Sequence, residues 1–250
     1  MSTSPRWMVL VLVVCAGAVH GDVINLAASK DNTLIEDAAG SLSNGKGSYF
    51  YSGKTAQGAL RRGLLAFDFS AIPAGSTINS VQLTLHVSRS ASGSESYGLH
   101  VVTRNWGEGT SNSDGSVGGG GGAPATAGDA TWTQSINGSS AWSALGGDFN
   151  ALASVTRSVV GTGSYAFTSA GMAADVQQWL NSPGTNFGWA LIGNEADATS
   201  AKRFDSRESA TEAFRPVLVV NYTPVPGPAS AAAMILGVSL FGRRRRVLGR

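Results

Sequence analysis

Of the 250 residues only one is cysteine, Cys15, and it falls in the first apolar stretch of the chain. The rest therefore carries no disulfide, and its fold must rest on its core, helped at most by a metal ion. Histidine is scarce as well: of three, only His86 and His100 lie beyond the amino-terminal leader. Acid–base and nucleophile–base catalysis thus has little imidazole to work with. A long hydrophobic run is also missing. An ordinary membrane span needs about 20 apolar residues, and a generous count from Ala229 to Phe241 gives 13.

What is present at the two ends reads as addresses. At the amino terminus Arg6 supplies a positive flank, Trp7 to Cys15 an apolar core of signal-peptide length, and Ala16, Gly17, Ala18 and Gly21 the small residues of a cleavage region. Cleavage after Gly21 or after Ala18 both fit, and Gly21 is preferred because Asp22 then opens the mature chain. The leader is taken as residues 1–21. At the carboxy terminus, residues 224–250, Val225-Pro226-Gly227-Pro228 precede the apolar Ala231 to Phe241 and four arginines, Arg243 to Arg246. A proline-rich break, a short apolar segment and a basic stop make a transient anchor, with the arginines held on the cytoplasmic face. The alternatives are a simple single-span anchor or a basic terminus.

This order resembles the PEP-CTERM sorting signal of Gram-negative bacteria, with Gly227 where that signal usually has glutamate. The resemblance implies export, transient insertion in the inner membrane, and removal of the tail by an exosortase-type enzyme, commonly in organisms that build exopolysaccharide.

The ends also account for the charge. The chain has 18 basic and 16 acidic residues and a pI near 8.8. Arg6 and five tail arginines take 6 of the 18, leaving the body, residues 22–223, with 12 against 16, a net −4. The basic pI belongs to the ends and argues for no nucleic-acid partner.

The body is one all-β domain with no dividing linker. Val81, Leu83, Leu85 and Val87 alternate with Gln82, Thr84 and His86, the pattern of a half-buried strand. Leu65, Phe67 and Phe69 alternate with Leu64, Ala66 and Asp68, which predicts burial mainly on the phenylalanine side. Between the two, Ile72-Pro73-Ala74-Gly75 is turn chemistry, a hairpin or a crossing between sheets. Further strands are expected at Tyr49 to Ser52, Gly98 to Thr103, Asp129 to Thr133, Ser164 to Thr168, Phe187 to Ile192, Lys202 to Ser206 and Val217 to Tyr222. Met172, Val176, Trp179 and Leu180 fall at helical spacing and predict one short helix ended by Asn181-Ser182-Pro183-Gly184, covering an open end. Glycines run from Gly118 to Gly122 in a long exposed loop. The expected fold is an antiparallel β-sandwich, jelly-roll-like, with one short helix, a leader helix before it and a hydrophobic tail after it.

Several landmarks recur in a fixed order: Asp31-Asn32-Thr33-Leu34-Ile35-Glu36, Ser43-Asn44-Gly45, Arg62 to Ser70, Asn105-Trp106-Gly107-Glu108-Gly109, Asp175-Val176 with Trp179, Phe204-Asp205-Ser206-Arg207-Glu208, and Arg215-Pro216-Val217-Leu218. This series, from about Asp31 to Tyr222, resembles the DNRLRE-type domain, which is similar to carbohydrate-binding module family 96. Thr33 and Ile35 stand where the name-giving motif has arginines. The resemblance implies a β-sandwich of exported bacterial proteins, with alginate-type acidic polysaccharide as one ligand class.

A sugar-binding site asks for a flat aromatic face and polar groups at its rim, with arginine or lysine added for acidic sugars. Trp106, Trp132 and Trp142 flank the glycine-rich loop and are the expected platforms, while Trp179 and Trp189 are expected in the core. Of Arg61, Arg62, Arg104, Arg203 and Arg207, in or beside strands, Arg62, Arg104 and Arg207 are the expected ligand contacts. A glycosidase would need two carboxylates about 5 to 9 Å apart, for which Glu36 with Asp37, Glu108 and Glu208 are the material. Glu36 and Glu208 are instead expected to pair with arginines. Calcium suits the hard oxygen donors of a cysteine-free domain, with Asn112, Asp114 and Asp37 as loose candidates and no cofactor otherwise expected.

The sequence thus points to an exported, non-catalytic, polysaccharide-associated protein. Its rivals are a structural surface protein of the biofilm matrix with no specific glycan, and a polysaccharide lyase or glycosidase. Replacing Arg243 to Arg246 with glutamine is expected to release unprocessed protein from the inner-membrane fraction. Unchanged fractionation would show that the tail is not a stop signal.

Overall fold

The computed structural model describes residues 21–115 and 120–225. The predicted leader up to His20 and the segment from Pro226, including Pro226, Gly227 and Pro228, lie outside the described residues. The strands are β1 (Asp22–Ile35), β2 (Leu42–Ser43), β3 (Tyr49–Lys54), β4 (Leu60–Phe67), β5 (Thr77–Ser90), β6 (Glu95–Val101), β7 (Ala123–Pro124), β8 (Gln134–Ile136), β9 (Ser140–Ala141), β10 (Val155–Val159), β11 (Gly163–Thr168), β12 (Trp189–Ile192), β13 (Lys202–Asp205) and β14 (Val217–Thr223). One α-helix, α1 (Ala170–Asn181), lies between β11 and β12. Among the described residues no helix is long and apolar enough to cross a membrane.

The pairing is antiparallel throughout, and two corner strands close the sheet on itself. β1 pairs with β14 from Asp22 to Ala27, then shifts register between Ala28 and Lys30 and pairs with β4 up to Ile35. β3 turns the opposite corner, pairing with β13 over Tyr49 to Ser52 and with β4 through Gly53 and Lys54. The result is a six-strand, barrel-like closure in the order β1, β14, β5, β13, β3, β4, with β12, β6 and β10 extending from β4 and β11 added to β5. Gly53 makes its corner possible. Its φ is +111°, and a Cβ there would stand 2.8 Å from the Ala201 Cα.

The inward side chains form the main core. Phe50, Leu65, Phe67, Leu83, Leu85, Val87, Tyr97, Leu99, Phe167, Trp189, Phe204, Leu218 and Val220 are all buried in it. Phe204 stacks on Phe50 at 5.3 Å and meets Tyr97 edge-on at 5.5 Å. The helix covers this core as its spacing predicts, burying Met172, Val176 and Trp179. Ser169 starts it by accepting the Met172 N–H at 3.0 Å. Gln177 ties it to β5, accepting from Ile78 N at 2.8 Å.

Two expectations are corrected. β4 is buried on both faces: Leu65 and Phe67 enter the main core, while Leu64 and Ala66 join a second cluster with Leu34, Val102, Trp106, Ala130, Trp132, Trp142 and Ala190. The connection from β6 to β10 folds over that outer face, so no polar side remains. Asp129 to Thr133 is not a strand. Its backbone is bound by loops, with Ala130 N donating to Gly107 O at 2.8 Å and Asn137 N donating to Asp129 O at 2.7 Å, and strand structure resumes only at Gln134. The turn at Ile72 to Gly75 is a crossing, since β4 and β5 do not pair and Gly75 takes φ +81°.

Phe204→Ala removes a fully buried ring packed on Phe50 and Tyr97 and is expected to cost about 3–5 kcal/mol. Urea unfolding monitored by tryptophan fluorescence checks this against Val23→Ser, 63% exposed at Val23, which is expected to change stability by less than about 0.5 kcal/mol.

Candidate ligand-binding site

The three tryptophans expected as platforms are interior. Trp106, Trp132 and Trp142 are only 1%, 6% and 7% exposed. Trp106 donates its indole N–H to Phe187 O at 2.8 Å, and the Lys30 ammonium sits 4.1 Å from its ring centre. Trp142 donates to Thr131 O at 2.9 Å, and the Arg62 guanidinium lies 5.0 Å from the Trp132 ring centre. A stacking platform needs an open ring face. These rings instead anchor the long β6–β10 connection onto the sheet.

The three nominated arginines are each committed to a carboxylate. Arg62 binds Glu195 through two parallel bonds of 2.7 and 2.9 Å and gives a third to Gly146 O at 2.8 Å. Arg104 binds Asp148 at 2.6 Å and Ser143 Oγ at 2.8 Å. Asp148 also accepts the N–H groups of Ser143 and Ala144, which together with Arg104 hold its carboxyl below the usual range against the opposing effect of burial. Arg207 grips both oxygens of Glu108 at 2.7 and 2.9 Å and reaches Glu208 at 3.2 Å.

Arg207 belongs to a buried knot that gathers residues far apart in sequence. Asp31, with no exposed surface, accepts the Arg207 backbone N–H at 2.7 Å and donates its own N–H to Glu108 at 3.0 Å. Lys46 bridges Glu108 and Glu208. Asn32, also fully buried, accepts from Ser43 Oγ at 3.0 Å and Asn44 N at 3.1 Å and donates to Glu108 O at 3.0 Å. The landmarks at Asp31-Asn32, Ser43-Asn44-Gly45, Glu108 and Arg207-Glu208 thus meet at one place. Two carboxylate oxygens there, Asp31 Oδ1 and Glu208 Oε2, are buried with no hydrogen-bond partner. Burial first, then the nearby Glu208 and Glu108 charges, hold the Asp31 carboxyl well above its ordinary range, against the Arg207 N–H that pulls it down. Lys30, on the same strand, is drawn down to about 8 by burial.

The remaining candidates sit in local structure. Glu208 pairs with cations as expected, but Glu36 does not form an ion pair: it accepts the Leu60 N–H at 2.6 Å. Asp37 is spent on Ser41 N and Oγ at 2.9 and 2.6 Å. Asp114 binds Ser48, and Asn112 accepts the Asp114 N–H at 2.8 Å. Among the described residues no group of three His, Cys, Asp or Glu side chains is placed to hold a metal ion. His86 binds Asp205 at 2.8 Å and stacks on Phe214, and Ser209 Oγ binds the other Asp205 oxygen at 3.0 Å. The carboxylate lies between serine and imidazole, the wrong order for a histidine to activate the hydroxyl.

Two concave surfaces are lined by arginine, and two others, of about 250 and 440 Å³, carry none. One, of about 600 Å³, is wide open and includes Arg104, Asn105, Asp148, Phe149 and Phe187. The other, of about 370 Å³, lies where β3, β4, β5 and β13 come together and is lined by Tyr51, Arg61, Arg89 and Arg203, with Thr199 and Gln57 also at its wall. No aspartate or glutamate lines it, and none of its arginines makes an ion pair with the chain's acidic side chains, all of which lie among the described residues. Arg203 faces Arg89 on one side and Tyr51 on the other in the strand register. Thr199 is the one non-glycine residue with positive φ among the described residues, at +68°, a costly conformation for a β-branched side chain. This cleft is the candidate site. The sequence marks Arg61 and Arg203 only as arginines in or beside strands and gives no sign of Arg89; the paired Arg62 lies on the same strand as Arg61, so strand position does not distinguish the cleft.

No protein-family model matches the chain, and no curated protein matches it.

Because the folded Asp31 holds its proton more tightly than the unfolded chain, its contribution to stability is fully present below the ordinary 3.8 and is lost as pH rises toward its folded value. Asp31→Asn keeps an acceptor for the Arg207 N–H and removes this titration. Urea midpoints between pH 4 and 7 are expected to fall with rising pH less steeply in the variant than in the wild type; equal slopes would refute the assignment.

Proposed function

We propose that the chain is an exported, non-catalytic protein that binds extracellular polysaccharide, delivered to the cell surface or matrix through its carboxy-terminal segment. The closed antiparallel sheet is read, at finer grain, as a flattened jelly-roll-like sandwich whose corner strands are β1 and β3. The observation that carries the reading is the cleft of Arg61, Arg89 and Arg203. It is a concave surface of a size suited to a sugar unit, walled by guanidiniums that form no ion pair with a carboxylate of the chain. The carboxylates that a glycosidase would draw on are otherwise engaged: Glu108 gives both oxygens to Arg207, and one also to Lys46.

A structural matrix protein without a specific glycan is the second reading. It is favoured by the commitment of Arg62, Arg104, Arg207 and the three tryptophans to holding the fold.

Affinity gel electrophoresis of the full-length protein separates the two. Acidic polysaccharide in the gel is expected to retard the protein, with retardation falling as salt is raised, while Arg62→Ala leaves it unchanged in the folded fraction. No retardation by any neutral or acidic polysaccharide favours the structural reading. Release of reducing ends or unsaturated products overturns the non-catalytic one.

A further inference from the structure

We infer that the cleft between β3, β4, β5 and β13 takes a tetrahedral oxyanion, a sulfate or phosphate ester carried on a sugar, held by Arg61, Arg89 and Arg203. The sugar as carrier rests on the function proposed above. The oxyanion rests on the geometry of the cleft alone.

Arg89 reaches the cleft through a break in strand register. Along β5 the side chains of Val81, Leu83, Leu85 and Val87 point into the core, and regular alternation would send Arg89 after them. The pairing with β13 breaks at that point: Arg203 faces Arg89, but Phe204 faces Val87, so Ser88 is an extra residue in β5. This bulge turns Arg89 outward and sets it directly opposite Arg203. Like charges facing each other across an antiparallel pair are destabilising. No carboxylate of the chain bridges these two, and an anion between them would.

The other groups are held in place by neighbours of their own. Arg203 lies 3.9 Å from the Tyr49 ring centre and gives its Nε–H to Ser88 Oγ at 3.0 Å, which fixes the plane of its guanidinium. Arg61, only 8% exposed, gives Nε to Gly120 O at 2.8 Å and Nη1 to Leu60 O at 2.7 Å. Glu36 is the acidic group that acts on Arg61 electrostatically, and it does not line the cleft. Tyr51 adds a hydroxyl whose pKa burial pushes up to about 12, so it stays a donor.

The number of guanidiniums bears on the ligand as well. One guanidinium satisfies a carboxylate by a bidentate pair. Three guanidiniums from three strands, with no acid among the lining residues, match a group with three peripheral oxygens and up to two negative charges. A uronate offers only two oxygens, so at least one of the three guanidiniums would have no direct acceptor.

Isothermal titration of the full-length protein with inorganic sulfate, inorganic phosphate and glucuronate, together with affinity gels containing a sulfated polysaccharide and its desulfated form, tests this. The expected result is saturable binding of sulfate or phosphate, weaker binding of glucuronate, and retardation only by the sulfated polymer. Arg89→Ala with Arg203→Ala is expected to weaken oxyanion binding by roughly tenfold or more, read on protein whose melting transition shows it folded. Arg203→Lys, which keeps the charge and loses the planar fork, is expected to fall between. Equal or tighter binding of glucuronate overturns the oxyanion assignment, as does full binding by the double alanine variant. If polysaccharide binds while both oxyanions are silent, the cleft proposal fails and the glycan function stands. If free oxyanion binds but no polysaccharide does, the oxyanion site stands and the sugar carrier fails.

Discussion

The fold turns on two neighbouring side chains, Asp31 and Asn32, sealed from solvent in the second half of β1. Polar groups without exposure must find partners inside the protein, and these two find them in chain segments as much as 176 residues away. The loop after β2, the loop through Glu108 and the loop after β13 all end on them. The arrangement is crowded enough that Gly45 has no room for a side chain: a Cβ there would lie 1.7 Å from Glu108 O. Loops held this firmly let the β6–β10 connection lie flat on the sheet, and that in turn buries the second apolar cluster.

The same constraint explains what the sequence could and could not say. Inward alternation in β5 was readable because a strand with one open face keeps a period of two. β4 was misread because both of its faces are covered, and the second cover comes from residues about 40 to 80 positions further on. No strand is expected before Tyr49, yet β1 spans Asp22–Ile35: Asp22 to Ala27 are all exposed or half-buried, and Asp31 to Ile35 are all buried, so neither half shows an apolar period of two. Asp129 to Thr133 looked like a strand because Ala130 and Trp132 are buried, yet they are buried as loop anchors.

The arginines show the limit most clearly. Arg61 and Arg62 are adjacent in β4 and indistinguishable by composition. Arg62 points toward Glu195 and the Trp132 ring, 133 residues away for the carboxylate, whereas Arg61 points to the opposite face and ends in the cleft. Which arginine is neutralised within the chain depends on pairing that spacing does not encode. The surplus of acidic over basic residues in the body makes the uncompensated group more telling, since acid was available and does not line that surface.

The pairing of Asp22 with Tyr222 brings the two ends of the body to one pole. Thr77, where β5 begins, lies at that pole opposite Thr223, and Arg89 is 12 residues further along the same strand. At about 3.3 Å per residue the cleft stands about 40 Å from the point where the chain leaves toward Val225. A molecule held by that end would carry the three cleft arginines far from its point of attachment.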